Sequence, residues 1–122
     1  MSRAPFTTEP ERGFYATRLV RGGIEVPVMV WFGPPVIEGE RQDRSPRWCI
    51  AIDGKSWRRE KEDHECLVPL DAYDYWPPGR RITASEYAFL RRRAKWAREH
   101  APEHPAARPY RPVDLAALPP RF

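Results

Sequence analysis

One stretch of the sequence combines a helix-start signal with a helix stop, and it predicts a single long helix. Thr83 is a favoured N-cap residue, and Glu86 follows three positions later, as in a capping box. A mixed apolar and basic pattern continues from there until Pro102, which cannot continue a helix. We therefore predict a helix over residues 84–100.

The rest of the chain is divided by Gly and Pro into short segments rich in β-branched and aromatic residues, which favours strands. Asp53-Gly54 is a strong signal for a tight hairpin turn. Pro27 cannot donate a ladder hydrogen bond, so we expect its strand to have an exposed edge there. The predicted strands cover 13–20, 24–32, 47–52, 55–60 and 66–70.

These elements predict an α+β fold. We expect a small antiparallel β-sheet or an SH3-like barrel of four or five strands, with one long C-terminal helix and a Pro-rich tail. Alternation along the strands and the helical period identify the residues expected to form the core. They are Phe14, Val26, Val28, Val30, Phe32, Trp48, Ile50 and Ile52, closed by Tyr87, Leu90 and Ala94.

A chain of 122 residues has the length of one domain. We expect a flexible N-terminal tail over 1–12, one compact domain over 13–100 and an extended arm over 101–122. The arm contains six prolines. It either covers a sheet edge as a belt or binds a partner as an extended peptide, and both interpretations stay open. Its apolar residues Leu115, Leu118 and Phe122 are placed to dock on the domain.

The net charge of +4 is concentrated on the predicted helix. Residues 1–82 hold 13 basic and 13 acidic residues, whereas 83–100 hold five basic and two acidic residues, a local excess of +3. The helical period places four cations opposite the apolar side and puts Arg93 inside the apolar half. That face is either a solvated surface or a stripe that contacts phosphates. The four cations are Arg91, Arg92, Lys95 and Arg98.

A second candidate region precedes the helix. Tyr75 and Trp76 lie close to Arg80 and Arg81 in an aromatic, Pro-rich segment. Rings that stack on bases beside cations that neutralise phosphates are typical of sites for single-stranded nucleic acid, and the same residue types form protein-binding hot spots. The structural alternative is that Trp76 closes the bottom of the core.

Other site types have weaker support. Cys49, Cys66, His100 and His104 could supply zinc ligands, but the cysteines are 17 positions apart and Pro102 separates the histidines. No nucleophile elbow, P-loop or metalloprotease motif occurs. We expect no catalytic residue, no metal, no cofactor and no enzymatic activity.

The expected location is the cytoplasm. The first residues have no apolar segment typical of a signal peptide, and no uncharged apolar stretch is long enough to span a bilayer. Both thiols should then be reduced.

Several segments are similar to known sequences of one group. GFYATRLVRGG, VPVMVWFGPP, DRSPRW, ITASEYAFL and HAPEHPAARPYRPVDLAALPPRF resemble short uncharacterised proteins encoded by phages and prophages of Gram-negative bacteria, chiefly alphaproteobacteria. The resemblance covers residues 13–122. It implies a small accessory protein of a mobile element and assigns no role to any residue.

The sequence thus predicts a small non-enzymatic accessory protein that binds nucleic acid through a basic helix face and nearby aromatic residues. The alternative is a protein-binding inhibitor of a host machine, such as a CRISPR or other anti-phage defence complex. A monomer and a dimer are both open, and no membrane contact is expected. The residues predicted to bind are Arg91, Arg92, Lys95, Arg98, Arg80, Arg81, Tyr75 and Trp76.

Overall fold

The computed structural model describes residues 9–35, 45–60 and 63–113 and shows an α+β fold. Within these ranges, one α-helix, α1 (Ala84–His100), accompanies six strands. Two short 3-10 turns, Ala72–Tyr75 and Pro105–Ala107, lie before and after the helix. The strands are β1 (Gly13–Arg18), β2 (Glu25–Gly33), β3 (Arg47–Ile52), β4 (Trp57–Glu60), β5 (Asp63–Pro69) and β6 (Arg80–Ile82).

The strands form two separate sheets. Four of them make an antiparallel sheet in the order β3-β2-β1-β6, and β4 pairs only with β5. Among the described strands no pairing joins the edges β3 and β6, so the closed SH3-like barrel is not found. The strand predicted over 55–60 leaves the main sheet instead of extending it. β6 is a strand that sequence patterning missed, because its three residues are too few to show alternation.

The Asp53-Gly54 turn is confirmed as a tight hairpin turn. The backbones of Ile52 and Lys55 exchange two hydrogen bonds, of 2.9 and 3.0 Å. Asp53 and Gly54 have φ angles of 55° and 87°. Positive φ at both central residues is the geometry of a type I′ turn, which an Asp-Gly pair accommodates readily.

Pro27 does not mark an exposed edge, and that prediction is wrong. β2 is an inner strand, and the Pro27 side chain is fully buried. The Pro27 carbonyl accepts a hydrogen bond of 2.8 Å from the backbone N–H of Asp53, in the turn just beyond the last residue of β3. In an antiparallel sheet, the nitrogen and the carbonyl of one residue point toward the same neighbouring strand. The Pro27 nitrogen, which carries no hydrogen, therefore points to the place just beyond the end of β3, where the ladder of hydrogen bonds has stopped.

Both faces of the main sheet are covered, so the core has two halves. Tyr15 and Ala16 are consecutive on β1 and point to opposite faces. The first face holds a cluster of Tyr15, Val28, Val30, Ile50, Leu70 and Ala72, with Trp48, Ile52 and Trp76 packed against it. The second face holds Ala16, Ile82 and Leu90, with Phe14 and Tyr87 packed against them.

The predicted core is therefore only partly confirmed. Its valines and Ile50 lie on the first face, whereas Leu90 and Tyr87 cover the second, so they do not close one common core. Phe32 was also predicted to be buried, but it is 49% exposed. Its ring lies edge-on to Trp48, with centroids 5.4 Å apart near the far end of β2.

The helix over 84–100 is confirmed. The Thr83 hydroxyl accepts a hydrogen bond of 3.1 Å from the backbone N–H of Glu86, as an N-cap should. The Glu86 carboxylate accepts a hydrogen bond from Arg80 instead of completing a capping box. The residues that bury the helix against the rest of the protein are Leu90, Ala94 and Ala97.

The first part of the arm is docked on the domain. The 3-10 turn Pro105–Ala107 lies against α1, and Ala106 is 4% exposed. The backbone N–H of Val113 donates a hydrogen bond of 2.9 Å to the carbonyl of Gly22. Residues 1–8, 36–44 and 114–122, with Leu115, Leu118 and Phe122, lie outside the described residues. Within the described ranges, no helix has the length and apolar character needed to cross a bilayer.

Candidate nucleic-acid interface

Four of the predicted binding residues lie together on the outer side of α1. Arg91, Arg92, Lys95 and Arg98, here called the basic patch, line an open depression of about 390 Å³ together with Glu99. Three of them directly follow a buried residue: Arg91 follows Leu90, Lys95 follows Ala94 and Arg98 follows Ala97. The packing of the helix therefore directs these side chains to one flank.

Arg98 is held by an ion pair inside the protein. Its guanidinium donates to the carboxylate of Asp53, whose side chain is only 8% exposed. Burial raises the pKa of Asp53, and the positive charge of Arg98 opposes that shift. Because a buried carboxylate depends on its counter-ion, Arg98 has a structural role and is the member of the patch least available to a partner.

The other three cations are accessible. The Arg91 guanidinium lies over Gly54, where a Cβ atom would collide with it. Lys95 pairs with Glu99 at 3.0 Å, but both side chains are exposed, so a phosphate could replace this carboxylate at little cost. Arg92 is exposed and forms no ion pair with another residue in the described ranges. Lys55 is also exposed and adjoins Gly54, which extends the positive surface.

Arg93 lies on the opposite flank and is half-buried. Its guanidinium donates a hydrogen bond of 3.4 Å to the backbone carbonyl of Glu25. Burial lowers the pKa of Arg93, whereas the charges of Glu25 and Asp53 act against that shift. Although Arg93 falls in the apolar half of the helix, its charged end therefore reaches a backbone oxygen at the side of the helix.

Arg80 and Arg81 are engaged within the protein and lie apart from each other. Arg80 donates to both carboxylate oxygens of Glu25 at 2.9 Å and to Glu86 at 3.0 Å. This pairing lowers the pKa of Glu25. Arg81 donates to Glu11 at 3.2 Å and to the Tyr15 hydroxyl at 3.0 Å. Consecutive residues of β6 point to opposite faces, so they do not form one surface with the basic patch.

Tyr75 and Trp76 lie on the first face of the sheet, on the side away from α1. The Trp76 ring packs edge-on against Tyr15 with centroids 5.6 Å apart, as the structural alternative had it. Tyr75 is exposed and lines a separate cavity of about 250 Å³ whose floor includes Val28 and Ile50. The structure therefore does not bring these two rings to the basic patch.

Two other aromatic residues do adjoin the patch. Phe89 and Trp96 are each 51% exposed on α1. Arg92 follows Phe89 by three positions and precedes Trp96 by four, so it neighbours both on the helix surface. The sequence contained a signal for their exposure: at 100° per residue they lie about 100° and 120° around the helix from Leu90.

No cluster of three or more His, Cys, Asp or Glu side chains suited to a metal ion occurs among the described residues. The described free cysteine, Cys49, is buried, and burial raises the pKa of its thiol. His104 accepts a hydrogen bond of 2.9 Å from the backbone N–H of Ala106 through Nδ1, so this nitrogen caps the 3-10 turn.

Comparison with known proteins adds no assignment. No family model, no curated protein and no solved structure matches the chain.

Proposed function

We propose that the protein binds nucleic acid through the basic patch and acts as a small non-enzymatic accessory protein. The observation that supports this most is the grouping of Arg91, Arg92 and Lys95 around one open depression. Among the described residues, none of the three forms an ion pair with a buried carboxylate. The resemblance to phage and prophage proteins supports the accessory role in a bacterial cell, and that role is part of the proposal.

The proposed chemistry is neutralisation of backbone phosphates. Guanidinium groups present several donors in a planar fork that matches phosphate oxygens, and ammonium groups act as compact charges. Binding to phosphates releases condensed counterions, so affinity falls as salt rises. Arg98 contributes mainly by holding Asp53, which keeps the turn beside Arg91 in place.

The test compares two triple variants that remove the same charge. The patch variant is Arg91→Gln/Arg92→Gln/Lys95→Gln, and the control is Arg12→Gln/Arg21→Gln/Arg58→Gln, at exposed positions outside the patch. Binding is measured by fluorescence anisotropy with labelled single- and double-stranded DNA and RNA. Three phosphate contacts on a single strand should weaken wild-type binding roughly 20-fold between ~50 and ~200 mM salt.

The proposal requires the patch variant to lose affinity and most of the salt dependence, and the control to keep both. Circular dichroism should show that each variant retains the fold, because none of the six side chains is buried. Equal loss in the two triple variants would mean that net charge, not the patch, causes binding. Absence of binding to all four probes at low salt contradicts the proposal and directs attention to a bacterial host protein as the target.

A further inference from the structure

The outer side of α1 combines the basic patch with two half-exposed rings, Phe89 and Trp96. Single exposed apolar residues are common on protein surfaces. Two large rings that both neighbour Arg92, between the basic patch and the flank that holds Arg93, are a more specific combination. This arrangement offers both charge for phosphates and flat apolar surface for bases.

Each ring is supported by a neighbour. The Arg93 guanidinium lies over the Phe89 ring, 5.7 Å from its centroid. The Trp96 ring meets His104 edge-on at 5.9 Å and His100 at 6.4 Å. These contacts restrain the rings while half of each surface remains exposed, which reduces the entropy lost when a base stacks on them.

The spacing of the rings suits an extended strand. Phe89 and Trp96 are seven positions apart, which is two helical turns or about 10.5 Å along the axis. In a duplex the base faces are already stacked on one another, so exposed rings gain nothing from them without opening the helix. Unpaired bases present free faces, and aromatic side chains bind them with little sequence preference.

We propose that α1 binds single-stranded nucleic acid in preference to duplex, with Phe89 and Trp96 stacking on unpaired bases while the basic patch contacts the phosphates. This inference rests on the proposed function above, and it adds the class of nucleic acid and two residues outside the predicted set. It replaces Tyr75 and Trp76 as the aromatic part of the site.

The experiment separates base stacking from phosphate binding by the choice of probe. We compare oligo-dT, an abasic oligonucleotide of the same length and a blunt duplex. The abasic strand has the phosphates of oligo-dT without bases. Wild-type protein should bind oligo-dT more tightly than either of the other two probes.

The test variant is Phe89→Ala/Trp96→Ala, and its control is Tyr73→Ala/Tyr110→Ala, which removes two other exposed rings. The test variant should bind oligo-dT about 25-fold or more weakly, at roughly fivefold per ring, with unchanged affinity for the abasic strand. Its salt dependence should match wild type, because the basic patch is intact. The variant Phe89→Tyr/Trp96→Tyr should retain most of the affinity, since every ring offers a stacking face.

Three results would overturn the inference and leave the proposed function standing. Wild-type protein could bind oligo-dT and the abasic strand equally, or the alanine variant could keep its affinity for oligo-dT. Either of these results would mean that the site binds phosphates alone and that the rings are free to contact a protein. An equal loss for both strands in the alanine variant would also contradict stacking, because bases would then make no difference. Failure of wild type to bind these probes, together with the single- and double-stranded RNA probes used above, would instead reject the proposed function itself.

Discussion

At the scale of single residues, Asp53 joins the turn, the sheet and the helix. Its positive φ forms the turn after β3, and its backbone N–H binds the Pro27 carbonyl. Its carboxylate is paired with Arg98, while the second oxygen, Oδ1, is buried with no hydrogen-bond partner among the described residues. A buried carboxylate in this position costs free energy that Arg98 must offset.

We expect Arg98→Ala to lower the free energy of unfolding by about 2 kcal/mol at neutral pH, because Asp53 is left buried without its counter-ion. Burial raises the pKa of Asp53 above its value in the unfolded chain. As pH falls through that raised pKa, the folded protein takes up a proton before the unfolded chain does, so the penalty shrinks. Urea unfolding at neutral and mildly acidic pH measures both effects.

The control for this prediction is Asp53→Asn/Arg98→Ala, which removes the buried charge together with its partner. Asn also tolerates the positive φ of this position. The double variant should be more stable than Arg98→Ala at neutral pH and should lack its recovery in acid. A single variant as stable as wild type would show that Asp53 does not depend on Arg98.

At the scale of elements, α1 is held between the sheet and the segment that follows it. Leu90 packs against the second face of the sheet, and the 3-10 turn Pro105–Ala107 contacts α1. The Val113 hydrogen bond to Gly22 fastens this segment to the β1–β2 connection. Residues 101–113 thus pack on the domain through α1 and the β1–β2 connection, and the belt along a sheet edge stays a prediction.

Enlarging Ala106 should weaken that docking. Ala106→Gln places a longer polar side chain at a buried site, and we expect a loss of about 2 kcal/mol in the free energy of unfolding. Ser85→Gln, at an exposed position of α1, introduces the same side chain and should cost almost nothing. Thermal melts compare the two. Equal melting temperatures would show that the 3-10 turn Pro105–Ala107 contributes nothing to stability.

At the scale of the whole molecule, the sheet separates two layers with different expected roles. The layer that includes Trp76 fills the first face, and the layer formed by α1 covers the second and presents the basic patch. A residue on one side of the sheet can therefore affect stability without contributing to binding on the other side.

Trp76→Ala tests this separation. The loss of a large ring packed on the core should lower the free energy of unfolding by about 3 kcal/mol. The affinity of the Trp76→Ala variant for nucleic acid should be unchanged at a temperature where this variant is folded. Tyr73→Ala, in the 3-10 turn just before Trp76 but 51% exposed, serves as the control and should affect neither quantity. If the folded Trp76→Ala variant lost affinity for nucleic acid, the Trp76 ring would have to be part of the binding site.

The sequence by itself determined the features that depend on near neighbours. The bounds of α1 follow from Thr83 and Pro102, β3 matches its predicted range, and the turn follows from Asp53-Gly54. The grouping of Arg91, Arg92 and Lys95 follows from the helical period alone. Caps, turns and periodicity act within a few residues, so they can be read from a short window.

Only the tertiary structure decided what depends on distant pairing. Arg80 meets Glu25 across 55 positions, and this contact engages its guanidinium within the protein. Trp76 faces one side of the sheet and Leu90 the other, which no local pattern reveals. The fold buries Leu90, Ala94 and Ala97 of α1 and leaves Phe89 and Trp96 half-exposed next to Arg92. Which face of an amphipathic element is covered depends on the area of its partner, and that area is set by the assembled fold.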